Sequence, residues 1–333
     1  MKPVEDVFSS NAFRRVVLPG IVLTAGFHPF VSGRIPTLTN LYGIGPTAAI
    51  VAEIIVFGLG VSSAIQWIYY VYEGFRLEWI TAPAGRIARA RVERSNERLN
   101  QIYGEREFDA LEPSEQASVT KIYEDLLDFP LAMGNDGVAR HFAERPTRLG
   151  NIIATYELYA GSRYGIDGTF FWNHFLNLAG DTSRKAFDDA YAFAESLVLA
   201  SFAGAIVALV HLIVLIGFGV GALNQSLIFF HIQPGPAVSA WLALFGLFVW
   251  LWFYQVSLPA HRTAGAMFEA IVDGVFPKFV EWATALRVPP SDETIKKVEA
   301  LNEYLKNLDR PSQTTRRAWL PSSGEIDEPR DGA

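Results

Sequence analysis

From residue 196 to residue 261 the chain contains no Asp, Glu, Lys or Arg. One crossing of a bilayer takes about 20 apolar residues, so this run holds two spans and a turn. Pro234, Gly235 and Pro236 break the helix at the turn. The spans are expected at residues 196–220 and 237–258. Upstream, residues 47–72 form another span, interrupted only by Glu53. A fourth, residues 16–31, is short and contains Pro19, His28 and Pro29. A re-entrant or surface segment is the alternative reading for it.

Flanking arginines orient these spans. Arg14 and Arg15 precede the first, whose outer turn has only Arg34. Arg76, Arg86, Arg89, Arg91, Arg94 and Arg98 follow residues 47–72, and Arg262 follows the last span. This asymmetry predicts both termini inside. Aromatic residues mark the boundaries: Trp67, Tyr69, Tyr70, Tyr72, Trp250, Trp252 and Tyr254 on the inner side, Trp241 and Tyr42 on the outer.

The rest of the chain is aqueous in character. At 50% hydrophobic and 19% charged residues, its composition lies between those of soluble and fully lipid-embedded proteins. The net charge of −7 argues against general nucleic-acid binding. With no cysteine, disulfides and thiolate chemistry are excluded. The opening residues carry acids and a late arginine pair, unlike a cleavable signal peptide.

The expected fold class is therefore all-α, an integral membrane protein. A cytoplasmic N-terminus (1–15) leads into a first transmembrane hairpin (16–72) and a helical cytoplasmic domain (73–189). A second hairpin (190–258), cytoplasmic amphipathic helices (259–309, kinked near Pro277) and a disordered tail (310–333) follow. Within the cytoplasmic domain, Val119, Ile122, Tyr123, Leu126 and Leu127 fall at helix spacing. A second helix is expected from the cap Thr147 to Gly161, with Leu149, Ile152, Ile153, Tyr156 and Ala160 on its apolar face. Phe171, Trp172, Phe175, Leu176 and Leu178 give a third helix an aromatic face, suited to the inner membrane surface or to neighbouring helices.

The densest polar stretch runs from Arg145 to Asn173. Its residues Pro146 to Asn151, then Glu157, Arg163 to Asp167 and Trp172, resemble the motif of a family of bacterial four-span membrane proteins of uncharacterised activity. The resemblance extends over roughly residues 140–279 and implies a topology in the bacterial inner membrane. It departs after Trp172, where the family pattern has Pro-Arg-Leu and this chain has Asn-His-Phe.

Three sets of residues are candidates for function. Glu53 in a span, with His28 and His211, is an intramembrane polar set that could line a pore or join two helices. Arg148, Asn151, Glu157, Arg163 and Asp167 form either an ion-pair network among themselves or a receptor for an anionic signal such as a nucleotide. Arg86, Arg89, Arg91, Arg94 and Arg98 form a patch for anionic lipid or ligand, partly neutralised by Glu93 and Glu97. Gly58 with Ser62, and Ala200 with Gly204 and Ala208, permit close helix approach within or between subunits. Gly217, Gly219 and Gly221 faintly resemble a potassium filter but lack its threonine and pore helix.

No cofactor or metal is expected, and enzymatic activity is not the leading expectation, since no His–acid metal spacing accompanies the carboxylates. The leading expectation is a gated, homo-oligomeric channel or membrane-perturbing effector with a cytoplasmic sensor, of a kind suited to stress or anti-phage defence. A membrane scaffold that recruits cytoplasmic partners is the rival.

Overall fold

The computed structural model describes residues 11–31, 45–75, 78–103, 106, 108–133, 139–219 and 235–285. The turn at residues 220–234, Arg34, Tyr42, Arg76, the part of the expected amphipathic helices at residues 286–309 and the tail lie outside the described residues. Nearly everything described is helical: α1 (Asn11–Val31), α2 (Pro46–Ser63), α3 (Ile65–Glu73), α4 (Glu78–Tyr103), α5 (Pro113–Leu126), α6 (Arg148–Glu157), α7 (Tyr159–Tyr164), α8 (Gly168–Leu178), α9 (Asp181–Gly219) and α10 (Pro236–Ala285). Among the described residues, three stretches are long and apolar enough to cross a membrane: Pro46–Ser63, Asp181–Gly219 and Pro236–Trp282. Helix α1 is long enough too, but Arg14, Arg15, Pro19, His28 and Pro29 make it less apolar.

The chain divides into two compact units, Met1–Tyr72 with Phe187–Ala264, and Glu73–Ala186 with Gly265–Ala333. In the first, α1 and α2 pack backbone to backbone. A Cβ added at Gly58 would fall 1.9 Å from the Val16 carbonyl oxygen, and one at Gly20 would fall 2.0 Å from that of Ile54. Ser62 Oγ donates to the Arg15 carbonyl at 2.7 Å along the same seam. Gly204 and Gly246 bring α9 and α10 equally close, with a Cβ on Gly246 only 2.5 Å from the Ala208 nitrogen. The small-residue spacings thus serve contacts within one chain.

The outward faces of this unit are apolar: Val51, Ile55, Val56 and Leu59 on α2, Leu209, Leu212, Ile213 and Ile216 on α9, and Trp241, Leu244, Phe248 and Trp252 on α10 are all exposed. Burying one such side chain is worth roughly 1.5–3 kcal/mol, so water is a poor solvent for this surface and hydrocarbon a good one.

Helix α2 ends at Ser63, inside the stretch of residues 47–72 expected as one span. Ala64 leaves helical geometry at φ −94°, ψ 11°. Ser63 Oγ donates back to the Gly60 carbonyl at 2.8 Å, competing with the helix ladder. Helices α9 and α10 are longer than the spans they contain, and α10 runs without a break through Pro259 and Pro277.

The second unit has a core of Val92 and Leu99 from α4, Val119, Ile122 and Leu126 from α5, and Leu111 and Phe129 beside them. Glu112 begins α5 with Pro113 at its first turn, and its N–H donates to Glu115 Oε2 at 3.1 Å. The expectation of purely helical structure here needs one correction. Leu131–Met133 and Ala139–His141 pair as a short antiparallel hairpin. Strands of three residues are too short to carry a readable alternation. The aromatic face of α8 packs on α10: Trp172 stacks on Phe268 at 4.0 Å, and Phe175 lies 5.0 Å from Phe279. Phe170 is left exposed.

Candidate functional site

The Pro146–Asn151 motif is legible as a set of local devices. Gly74, at φ +91°, stands against Pro146, where a Cβ would clash at 2.2 Å. Thr147 caps α6, accepting from the Gly150 nitrogen at 2.9 Å. Leu149 is fully buried. Gly150 approaches the Glu73 carbonyl so closely that a Cβ would fall 2.6 Å from its oxygen. Asn151, fully buried, clamps the preceding backbone: its Oδ1 accepts from the Arg145 nitrogen at 3.0 Å, and its Nδ2 donates to the Arg145 and Thr147 carbonyls at 2.6 and 2.7 Å.

These devices hold Arg145, a residue that the sequence reading did not single out. Its guanidinium donates to Glu73 Oε2 at 2.7 Å and pairs also with Glu157. It lies 4.9 Å from the centre of the Phe75 ring. The Arg145 side chain is 11% exposed and that of Glu73 12%. Two carboxylates therefore share one buried cation. Burial pushes the Glu73 carboxyl up to about 7; Arg145 opposes the shift and Glu157 adds to it.

Arg148, Glu157, Arg163 and Asp167 form no pairs with one another, contrary to the expected network. Arg148 Nε donates to the buried Asp128 at 2.5 Å. Glu157 takes Arg145. Arg163 lies 3.4 Å from Asp273, whose carboxylate also accepts from Tyr159 at 2.9 Å and from Tyr164 at 2.7 Å. Burial, then the Asp273 carboxylate, raise the Tyr159 phenol; burial, then its hydrogen bond to Asp273, raise the Tyr164 phenol. Asp167 caps α8, accepting from the nitrogens of Thr169 and Phe170 at 3.0 Å each. Spacing within the motif suggested mutual pairing; each charged side chain instead bonds a partner elsewhere or caps a helix.

In the first unit, His28 Nδ1 and Glu53 Oε2 are 3.2 Å apart, with the Glu53 side chain 13% exposed. Glu53 Oε1 is buried without a hydrogen-bond partner among the described residues. His211 does not join them. Its Nε2 donates to the Gly26 carbonyl at 3.0 Å and its ring stacks on Phe30 at 5.2 Å. Because a carbonyl only accepts, the Nε2 proton is assigned by its partner.

A second buried polar set was missed in the sequence. His261 Nδ1 donates to the Ser257 carbonyl at 2.9 Å, which leaves Nε2 to accept from the Tyr69 hydroxyl at 2.9 Å. Ser201 Oγ donates to the Trp250 carbonyl at 2.9 Å and accepts from Tyr72 at 2.8 Å. Arg15 pairs with Glu195. The only available signal was polar residues at the margins of apolar runs.

Fold and site together define an all-α protein with membrane-span candidates and buried ionic clusters. Comparisons with protein-family models, with curated proteins and with solved structures find no match to this chain.

Proposed function

We propose that this chain is a four-span protein of the bacterial inner membrane, with both termini cytoplasmic, that works as a gated homo-oligomeric ion channel. The aqueous residues 73–189 act as its sensor. One observation carries this reading. Glu53, the sole Asp, Glu, Lys or Arg in Pro46–Ser63, is held by His28 and keeps a second buried oxygen without a hydrogen-bond partner among the described residues. A charged side chain in a span is disfavoured by about 2.5–3.5 kcal/mol on insertion scales, and such groups mark ion or proton paths. The orphan oxygen is suited to a water molecule or a passing cation. The outward apolar faces of α2, α9 and α10 suit lipid or sister subunits.

The test is ion flux from liposomes containing the purified chain. Glu53→Gln should change conductance or cation preference while leaving the protein folded. Unchanged flux from a well-folded Glu53→Gln protein sinks the proposal that this carboxylate lines the path.

The scaffold reading has its own support. Glu53 already has an intrachain partner, and the glycine seams are satisfied within one chain, so neither requires a second copy. Mass measurement in native lipid particles separates the two. A monomer or dimer favours the scaffold, and a closed ring of three or more favours the channel.

A further inference from the structure

Helix α4 packs one face on α5 through Val92 and Leu99 and turns the other to solvent. The solvent side has two distinct rows. Arg86, Arg89, Glu93 and Glu97 make a row whose two positive and two negative charges cancel. Ile87, Arg91, Arg94 and Arg98 follow one another at steps of four, three and four residues, which aligns them along one line of the helix. That second row holds three arginines and no acid, on a chain whose net charge is −7. All four of its side chains are exposed, Ile87 at 68%. Arg91 meets Asp125 of α5 at 3.0 Å, but both are about half exposed, so the pair screens the row's edge only weakly. Arg94 Nε donates to the Ala90 carbonyl at 2.9 Å.

We infer that this row docks α4 on an anionic lipid surface, with Ile87 entering the headgroup layer and Arg91, Arg94 and Arg98 meeting lipid phosphates. The inference rests on the reading that the stretch ending at α3 crosses the bilayer. Four residues separate the last residue of α3, Glu73, from the first of α4, Glu78. Whatever path they take, Ile87 stays within roughly 30 Å of the end of α3, from the reach of an extended chain plus the helical rise. That bound lets the row reach the bilayer surface, whose attraction acts within a Debye length of about 10 Å. The exposed isoleucine decides between lipid and nucleic acid, since an apolar knob among arginines gains from a headgroup–acyl boundary and gains nothing from a phosphate backbone in water.

Because the full chain has no cysteine, Ile87→Cys provides a single labelling point for an environment-sensitive fluorophore. The labelled full-length protein is reconstituted into lipid particles of neutral phosphatidylcholine with increasing phosphatidylglycerol. The emission should shift to the blue as the anionic fraction rises, and the shift should be lost in high salt. Arg94→Gln and Arg98→Gln should each raise the anionic fraction needed for half the shift, by about fivefold in apparent affinity per arginine. Identical emission in neutral and anionic particles overturns the inference. So does a shift that appears only when an oligonucleotide is added to neutral particles. Failure of the underlying membrane reading looks different: the chain would then remain soluble and monodisperse without lipid.

Discussion

Arg145 and Glu73 lie 72 positions apart, yet guanidinium and carboxylate meet at 2.7 Å with both side chains almost buried. Glu157 shares the same cation, so the cluster keeps one excess negative charge when all three groups are ionised. Burial of Glu73, with the Glu157 charge adding to it, makes the fold sensitive to pH. The Glu73 carboxyl is raised to about 7 from an ordinary 4.5, so the folded state holds its proton more tightly than the unfolded chain does. Its contribution to stability is fully present below pH 4.5 and is lost as pH rises to about 7. The loss amounts to at most roughly 3 kcal/mol, taking 1.36 kcal/mol per unit. Unfolding in lipid particles from pH 5 to pH 8 should give a falling Tm for the wild type and a flatter profile for Glu73→Gln. Superimposable profiles would remove Glu73 as the source.

Removing the cation is a harsher change than removing one carboxylate. Arg145→Met leaves Glu73 and Glu157 facing each other without a counter-charge, and breaking a buried pair this way costs about 3–5 kcal/mol. Arg145→Lys keeps the charge but loses the fork that reaches both carboxylates, and should fall between. Arg89→Ala, at an exposed position of α4, is the control and should stay within about 0.5 kcal/mol. The order of the three Tm values is the measurement. Arg145→Met as stable as Arg89→Ala would contradict the geometry.

The α1–α2 seam makes a position-specific prediction. At Gly58 a methyl group would meet the Val16 backbone at 1.9 Å, whereas at Gly60, two residues on, nothing lies within 4 Å. Gly58→Ala should therefore lower stability by about 1–3 kcal/mol, the usual range for overpacking. Gly60→Ala should be neutral or slightly stabilising, because alanine favours helix by about 1 kcal/mol over glycine. Thermal unfolding of both proteins in the same lipid mixture decides it. Equal loss at both positions would mean that α1 does not pack on α2 as described.

What the sequence made legible follows the range of the interactions involved. A charge-free run needs no partner to be recognised, which is why the apolar cores of α9 and α10 were readable. Thr147 and Asp167 act on nitrogens two or three residues away, and Thr147 could be marked as a cap at sight. The ionic partners could not. Asp128, 20 positions before Arg148, sits among several acids with no pattern to distinguish it. Asp273 lies on α10, where helix periodicity says nothing about α7. Arg145 was passed over because its importance comes from burial, and burial of a lone arginine has no sequence signature. The break at Ala64 depends on Ser63 turning back to Gly60, a local competition that an uninterrupted hydropathy run hides.

Asn151 offers the sharpest local test of how the motif works. Both ends of its amide hold the Arg145–Thr147 backbone, and the side chain is fully buried. Asn151→Ala would leave the Arg145 nitrogen and the Arg145 and Thr147 carbonyls without this partner, at about 1–3 kcal/mol for each group left unsatisfied. The loss should also be local first, because the freed segment is the one that carries the Arg145 side chain to its carboxylates. Amide hydrogen exchange at Arg145 should accelerate strongly in Asn151→Ala, while amides in α9 stay protected. Asn151→Asp is the discriminating companion. It keeps an acceptor for the Arg145 nitrogen but replaces the donor with a carboxylate facing two carbonyl oxygens, so it should be at least as damaging as alanine. If Asn151→Asp kept wild-type exchange at Arg145, the amide donor would have no part in holding the loop, and the clamp would reduce to a single hydrogen bond.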